Sequence, residues 1–292
     1  MALCLTDGTR IVDLSRPPQG TRHRIVFGTE ESTGREVAAK IELIAGALEP
    51  ERRALEWLTP QDGPWPQLHA AGTLDDSGEL PGAACLVVDR VAADPASSSA
   101  AWEGLGYALA QLSRIPWEGS GLTAVDHDEF LALHQRRVED LNQALGRDLG
   151  ADLPPVPPSY PTFPLVLTHG DPGPGNFLDD GAGGTLIDWE DALVAPRGLD
   201  LGRATFIALL GSGPEGYVAR DHTARAEAVV RAFLADSDRS PDPSQLDWWL
   251  SVAAVQFAHR RLERAGEPGV LPWRDALAVL EDARNRPGSR RP

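Results

Sequence analysis

The chain of 292 residues has few cysteines, few lysines and no long apolar run. Its two cysteines, Cys4 and Cys85, lack metal-ligand spacing, and so few cysteines argue against a fold held together by disulfides. No apolar run reaches the roughly 18 residues that a membrane span needs. The N-terminus has neither a basic segment nor a long apolar stretch, so no signal peptide is predicted and a cytoplasmic protein is expected.

The chain is also short of positive charge. Its 27 basic side chains oppose 43 acidic ones, which gives a formal net charge of −16. Such a charge repels nucleic acid and anionic membranes, so neither is an expected partner. It would attract a cationic small molecule to acidic walls, although an acidic surface also serves solubility alone. Composition does not choose between a monomer and a homodimer.

Only one lysine, Lys40, stands among the 27 basic residues. It lies near the end of the alternating segment 35–42, which is typical of a strand and follows the turn at 31–34. A lysine late in an early strand, here in V-A-A-K, resembles the phosphate-binding lysine of the V-A-I-K motif in kinases. The alternative is an ordinary surface lysine on a strand.

The most informative segment contains three side chains that could take part in catalysis: Asp171, Asn176 five residues later and Asp188 twelve residues beyond that. Phosphoryl transfer needs such groups, because one carboxylate orients a hydroxyl and accepts its proton while Asn and Asp oxygens hold Mg²⁺ on the phosphates. Asp171 is therefore the candidate catalytic base, and Asn176 and Asp188 are the candidate metal ligands.

The chain between Asn176 and Asp188 predicts a β-hairpin, because two short apolar runs flank a glycine-rich turn. If the register is symmetric about Ala182, Phe177 lies opposite Ile187 and Asn176 lies opposite Asp188. The two candidate metal ligands then meet at the open end of the hairpin.

These features resemble the aminoglycoside phosphotransferase and choline kinase-like family of small-molecule kinases. The residues that carry the resemblance are Lys40, Glu51, His169, Gly170, Asp171, Asn176, Asp188, Trp189 and Glu190. The order and spacing of elements extend it over roughly residues 10–280. It implies ATP as the phosphate donor, with GTP as an alternative, and Mg²⁺ as the metal.

The resemblance also implies an α+β, bilobal protein kinase-like fold. Residues 1–92 are expected to form a small N-lobe with an antiparallel sheet, and residues 93–285 a larger, mainly helical C-lobe. A short tail, 286–292, is expected to be disordered. Helical patterns in the C-lobe cover 126–149, 199–211, 216–236, 243–265 and 272–285.

Further residues receive roles by this resemblance. Glu51 lies in the first turn of a helix that Pro50 opens, on the face that leads toward the core, where it could pair with Lys40. Alternatively it only complements the helix dipole. His169 is expected to hold the catalytic loop, and Asp200 to be structural. Glu190 is expected to stay near the phosphates or to support the loop.

Nucleotide and acceptor contacts are the least specified part of the site. The segment at 15–21, where kinases cover the phosphates, contains Gly20 but no G-x-G-x-x-G motif. The adenine is expected against the backbone from Asp89 to Val91. Three residues on later helices match positions where relatives gather acceptor-binding acids and aromatics: Asp247, Trp248 and Glu263. The alternative is a core role for the aromatic residue, because aromatics at helical spacing more often pack in the core than around a ligand.

The expected activity is transfer of the γ-phosphate to a hydroxyl of a small molecule, with an aminoglycoside-like or other antibiotic as the first acceptor. The alternatives are a choline-, ethanolamine-, fructosamine- or homoserine-like metabolite, or a catalytically silent nucleotide-binding scaffold. The joint presence of Lys40, Asp171, Asn176 and Asp188 disfavours a silent protein. A protein kinase is also disfavoured, for two reasons. Pro-Gly follows Asp171, and only 11 residues separate Asp188 from Asp200, which leaves little room for a long activation segment.

Overall fold

The structure, a computed structural model, describes residues 2–17, 23–75, 80–92, 94–95, 99–179, 181, 183–210, 223–235 and 243–264. These residues form a strand-rich N-terminal lobe and a mainly helical C-terminal lobe, which confirms the predicted α+β class and bilobal architecture. Gly20, the predicted helix at 272–285 and the predicted tail lie outside the described residues.

The N-terminal lobe contains a six-stranded antiparallel sheet with the strand order β1-β2-β3-β4-β6-β5. Its strands are β1 (Leu3–Cys4), β2 (Arg10–Ser15), β3 (His23–Glu30), β4 (Glu36–Glu42), β5 (Leu68–Thr73) and β6 (Ala84–Asp89). Successive side chains of β4 alternate between the two faces of the sheet. Ala39 and Ile41 are therefore buried in the apolar cluster of this lobe, whereas Lys40 lies on the opposite face.

Helix α1 (Glu49–Leu58) connects this sheet to the C-terminal lobe. Its buried Leu55 and Leu58 belong to the same apolar cluster as residues of the helical lobe. Two side chains of α1 also donate hydrogen bonds to that lobe: Trp57 Nε1 to the carbonyl of Pro116 (2.7 Å) and Arg53 Nη1 to that of Gly121 (2.6 Å). These contacts fix the position of the helix that carries Glu51.

The described helices of the C-terminal lobe are α2 (Ser99–Leu112), α3 (His127–Leu145), α4 (Leu199–Leu210), α5 (Thr223–Ala235) and α6 (Pro243–Glu263). Two short 3₁₀ helices, Gly150–Asp152 and Tyr160–Thr162, precede the next strand. Helix α3 ends four residues before the predicted limit, because Gly146 adopts a left-handed conformation (φ +68°) and caps it. Residues 216–222 of the next predicted helix lie outside the described part of the chain.

Helix α4 is the central element of this lobe, since nearly all its residues are buried. It packs closely against α6 at Gly202, where a Cβ atom would lie 2.6 Å from the carbonyl oxygen of Trp249. A helix so deeply placed can bring polar side chains beneath the catalytic loop. Asp200 and Arg203 are two such residues.

Short strands hold the catalytic segment. Strand β8 (Leu165–Thr168) pairs with β11 (Leu193–Pro196), and β9 (Phe177–Asp179) pairs with both β10 (Thr185–Leu186) and β7 (Asp94–Pro95). Because β7 follows the sheet of the N-terminal lobe, this pairing ties the connection between the lobes to the hairpin. The predicted boundary at residues 92–93 stays a prediction. Within the part of the chain that the structure describes, no helix combines the length and apolarity needed to cross a bilayer.

The hairpin forms as predicted, but its predicted register is wrong by one residue. Phe177 lies opposite Leu186 instead of Ile187, and the N–H of Ile187 bonds to the carbonyl of Asn176 (2.9 Å). Phe177 and Leu186 are both fully buried, and pairing them places both on the core side of the hairpin. Asp188 consequently lies one residue past the position opposite Asn176.

Candidate active site

The catalytic loop begins directly after β8 with a conformation that requires glycine. Gly170 has a φ of +82°, and a Cβ atom on it would lie 1.9 Å from the carbonyl oxygen of Asp191. Any other residue would be strained and would also clash with this backbone. The chain turns tightly here and leaves the side chain of Asp171 42% exposed, open to a ligand.

His169 and Asp200 hold this loop from below. The backbone N–H groups of His169 and Gly170 donate to the Asp200 carboxylate, at 2.6 and 3.1 Å. The fully buried His169 ring donates from Nε2 to the carbonyl of Ile187 (2.9 Å), and its Nδ1 accepts the N–H of Asp171 (3.2 Å). Burial lowers the pKa of His169, so the neutral ring fits both bonds. The surroundings support the expected structural roles of these two residues.

Two side chains, those of Asn176 and Arg203, contact Asp171. Asn176 Nδ2 donates to the Asp171 carbonyl (2.9 Å) and to its Oδ2 (3.3 Å). On the other side, Arg203 Nη2 lies 3.0 Å from Asp171 Oδ1. These contacts limit the rotation of the carboxylate and leave its charge balanced by a guanidinium.

Arg203 is a site residue that sequence reasoning missed. It follows Asp200 by one helical turn in an otherwise apolar helix and is 9% exposed. A charged residue in so apolar a segment was the available signal, since such residues are seldom buried without a partner. The partner itself lies in a loop that only the fold brings near.

Lys40, Glu51 and Asp188 form a second cluster. Lys40 Nζ lies 2.6 Å from Glu51 Oε2 and also contacts Asp188 Oδ1. Burial alone would lower the pKa of Lys40, but the two carboxylates outweigh it and raise the pKa above its ordinary value. The structure thus brings Glu51 to Lys40, and the ion-pair interpretation of Glu51 prevails over a simple dipole effect.

Asp188 projects from a segment with an unusual backbone. Its φ of +66° is uncommon for a residue other than glycine. The next residue, Trp189, anchors the segment: its fully buried ring contacts His169, its Nε1 donates to the carbonyl of Leu186 (3.0 Å) and its backbone N–H bonds to Glu51. The backbone of Asp188 is therefore held from both lobes.

The predicted adenine contacts, Asp89 to Val91, lie at the C-terminal end of β6 and directly after it. The N–H groups of Asp89 and Arg90 are already donated to the carbonyls of Gln67 (3.1 Å) and Glu36 (3.4 Å). The Asp89 carboxylate also accepts from the Gln67 N–H (2.9 Å). The backbone of Val91 has no hydrogen bond to another described residue. Glu190 Oε2 lies 3.6 Å from Nδ1 of His23, the first residue of β3.

The structure corrects one expectation about the acceptor site. Trp248 is 1% exposed and packs among aromatic rings, with Tyr160 at 4.7 Å and Trp249 at 4.6 Å between centroids. It contributes to the core of the helical lobe and does not line a cleft. Asp247 and Glu263 are exposed on α6, and Glu263 lies 3.6 Å from His259.

The oxygen donors of the site fit a magnesium ion. Among the described residues, no group of three or more His, Cys, Asp or Glu side chains could cage a metal. Mg²⁺ does not need such a cage, because it is commonly held by one or two protein ligands, water and the phosphates of a substrate. Asn176 and the partly exposed carboxylate of Asp188 are a suitable pair.

Comparison with known proteins agrees with this geometry. The model of the APH phosphotransferase enzyme family matches residues 13–249, which is most of the chain. No curated protein matches the chain in sequence.

Solved structures share the fold at low sequence identity. A choline/ethanolamine kinase family protein from Mesorhizobium loti is 16% identical, with a TM-score of 0.60 over 94% of this chain and 89% of that one. Amicoumacin kinase hAmiN, in complex with AMP-PNP, Ca²⁺ and Ami, is 12% identical, with a TM-score of 0.60 over 93% and 86%. Aminoglycoside phosphotransferase APH(4)-Ia, in complex with ADP and hygromycin B, is 13% identical, with a TM-score of 0.58 over 93% and 92%.

Proposed function

Because the chain belongs to the APH phosphotransferase enzyme family and is therefore a small-molecule kinase, we propose that it transfers the γ-phosphate of ATP to a hydroxyl group of its acceptor. The observation that carries this proposal is the linkage of two clusters. Asp171 and Asn176 are joined to each other, and Lys40 is joined to Asp188, across a hairpin that connects the two pairs. The hairpin segment from Asn176 to Asp188 thus has the Asp171 carboxylate at its first end and the Lys40 ammonium group at its second end.

Asp171 orients the acceptor hydroxyl and takes up its proton during transfer. Its carboxylate is exposed enough to reach a ligand, while Asn176 and Arg203 restrict its direction. His169 contributes by fixing the backbone of the loop, because its ring is buried and both its nitrogens already have partners.

Lys40 binds phosphate oxygens of the nucleotide, and Glu51 keeps its ammonium group aimed into the site. Asn176 and Asp188 would hold Mg²⁺, which when bound supplies positive charge to the phosphates during transfer. Val91 is the proposed backbone contact of the adenine. GTP is the alternative donor, since no described side chain selects between the two bases.

The acceptor is proposed to be an antibiotic or a small hydroxylated metabolite. Solved relatives in complex with Ami and with hygromycin B support the first class, and a choline/ethanolamine kinase family protein supports the second. A role in antibiotic resistance follows only from the first class. The catalytically silent scaffold is disfavoured, because each of the four chemical groups is present and positioned by other residues.

The proposed activity is tested by incubating the purified chain with Mg-ATP and a panel of antibiotics, amino alcohols, hydroxy acids and sugars. We expect acceptor-dependent ADP release with at least one of them, together with a phosphorylated product in mass spectrometry. Nucleotide binding without acceptor-dependent release across the whole panel would instead favour the silent scaffold.

The lone lysine permits a direct test of phosphate contact. An amine-reactive ATP analogue has one side-chain target, Lys40, besides the N-terminal amine. We expect labelling of Lys40, loss of activity in step with it, and protection by excess Mg-ATP, all followed by peptide mapping. Lys40→Arg should lower kcat/KM by roughly ten-fold or more, because a planar guanidinium cannot replace a compact ammonium between carboxylates and phosphates.

Two variants serve as references for the lysine experiment. Arg10→Lys adds a lysine on an exposed part of β2, and its labelling should not be blocked by Mg-ATP. Glu51→Ala should impair activity less than Lys40→Arg. Labelling of Lys40 that Mg-ATP leaves unchanged, or full activity of Lys40→Arg, would return Lys40 to the role of an ordinary lysine on a strand.

A further inference from the structure

A cluster of polar side chains lies at the end of the N-terminal sheet, where β6 leads into the connection between the lobes. Asp89, the last residue of β6, accepts from His69 Nε2 through its Oδ1 (2.7 Å) and from the N–H of Gln67 through its Oδ2 (2.9 Å). Arg35 Nη1 lies 2.6 Å from His69 Nδ1, closer than to Nε2 (3.3 Å). Arg35 directly precedes β4 and His69 belongs to β5, so their contact spans the end of β6, which lies between these two strands.

His69 reaches Asp89 from an irregular point in β5. Leu68 pairs with Val88 and Ala70 pairs with Val87, so His69 is an extra residue on β5 opposite β6. A β-bulge of this kind changes the direction of a side chain, and bulges are frequent beside functional sites. The side chain of His69 is only 13% exposed, so its ring is largely shielded from water where it bonds to the carboxylate.

The partners of His69 determine which of its nitrogens carries the proton. A guanidinium group can only donate hydrogen bonds, so Nδ1, which faces Arg35, must accept. The ring proton then lies on Nε2 and is donated to Asp89. A hydrogen bond to a carboxylate is charge-assisted, and the arginine strengthens it further by polarising the ring between them.

These bonds hold the backbone at the end of the sheet. Asp89 also donates its N–H to the carbonyl of Gln67 (3.1 Å), and Arg90 donates its own to the carbonyl of Glu36 (3.4 Å). Both N–H groups are thus bonded within the sheet, whereas the backbone of Val91 has no hydrogen bond to another described residue. The position of Val91 therefore depends on the two anchored residues that precede it.

We infer that His69 is a positioning residue for the donor nucleotide: through Asp89 it holds the backbone of Val91 at the place where the adenine binds. This inference rests on the proposed function, in which Val91 contacts the base. Asp89, for which a direct contact was expected, acts by anchoring the chain. Because a backbone that is already in position does not have to be ordered on binding, the nucleotide binds more tightly than it would to a loose segment.

Calorimetry of the full chain with a non-hydrolysable ATP analogue, with and without Mg²⁺, tests the inference. His69→Leu removes both ring nitrogens, and we expect it to weaken the binding of the analogue by roughly ten-fold, the scale of one lost hydrogen bond to a carboxylate. The factor should be the same with and without Mg²⁺, because the effect arises at the base and the metal binds the phosphates. His69→Gln keeps an N–H donor near the position of Nε2, so it should restore most of the affinity.

His259→Leu is the matched control. His259 Nε2 lies 2.8 Å from Asp140 Oδ2 and its side chain is also 13% exposed, but this pair joins α3 to α6 in the other lobe. The control should bind the analogue as the unmodified chain does. Asp89→Asn provides a second variant in case His69→Leu does not fold. One amide oxygen cannot replace both carboxylate oxygens as acceptors for His69 and Gln67, so a similar loss of affinity is expected.

The inference is overturned if His69→Leu and Asp89→Asn bind the analogue as tightly as the unmodified chain, or if His69→Gln binds it as weakly as His69→Leu. Equal effects of His69→Leu and His259→Leu would also overturn it, as would loss of the Mg²⁺ effect in His69→Leu, since both indicate a general disturbance of the structure. Failure of the unmodified chain to bind the analogue would count against the proposed kinase function. Normal binding that the His69 and Asp89 variants leave unchanged would count against this inference alone.

Discussion

Replacing Asp171 with asparagine is expected to lower kcat by roughly 10²-fold or more, the scale of a lost general base. Asparagine has nearly the same shape and retains an oxygen that can accept from Arg203, so the loop should keep its conformation. It cannot take up the proton of the acceptor hydroxyl. The affinity for Mg-ATP should change little, because Asp171 contacts Arg203 and Asn176 and does not contact Lys40.

Steady-state kinetics with an acceptor found in the panel, combined with calorimetry of Mg-ATP, measures both quantities. Asp128→Asn makes the same chemical change at an exposed position in the first turn of α3, and it should leave kcat near the unmodified value. Thermal unfolding of both variants separates lost chemistry from lost folding. Near-normal turnover of Asp171→Asn would remove this residue from the proton-transfer step.

Replacing Asp188 with alanine is expected to abolish the metal-dependent part of ATP binding. A weakening of roughly 10²-fold, about 3 kcal/mol, is the minimum expected from the loss of the single carboxylate among the proposed metal ligands. The change also frees Lys40 from one of its two carboxylate partners. Metal-free ATP should therefore bind this variant no more weakly than it binds the unmodified chain.

Calorimetric titrations of ATP with and without Mg²⁺ give the metal-dependent difference directly. Asp179→Ala is the control on the same hairpin, because among the described residues the Asp179 carboxylate accepts a hydrogen bond only from the nearby N–H of Gly181 (2.9 Å). It should retain the full Mg²⁺ effect. An unchanged affinity of Asp188→Ala for Mg-ATP would show that the metal is held elsewhere.

Most secondary structure elements were predictable, because their signals lie within a few consecutive residues. Alternating residues marked β4, and Pro50 marked the start of α1. The register of the hairpin was not predictable from symmetry. It depends on pairing Phe177 with Leu186 in the core, and the core is assembled from other parts of the chain.

In the candidate site, too, some residues were recognisable from local sequence signals and others were not. The groups proposed to act in phosphate transfer were recognisable because Asp171, Asn176 and Asp188 follow one another in a single segment. The position of Glu51 was inferred from helical periodicity, and the structure places it against Lys40. The sequence left the role of Trp248 open between core and acceptor site, because an aromatic residue on a helix has the same local pattern whether it faces the core or a cleft.

The sequence by itself determined the segment from Asp171 to Asp188 and the class of reaction, since these depend on short-range spacing and on residue chemistry, and its resemblance to a kinase family implied the two lobes. Only the tertiary structure decided what surrounds Asp171. Arg203 contacts Asp171 and Arg260 contacts the nearby Asp191, yet the two arginines lie on helices far apart in the chain, and no local pattern connects them. They reach the same loop only because α4 and α6 pack together, and electrostatic interaction depends on distance in space and not on separation in sequence.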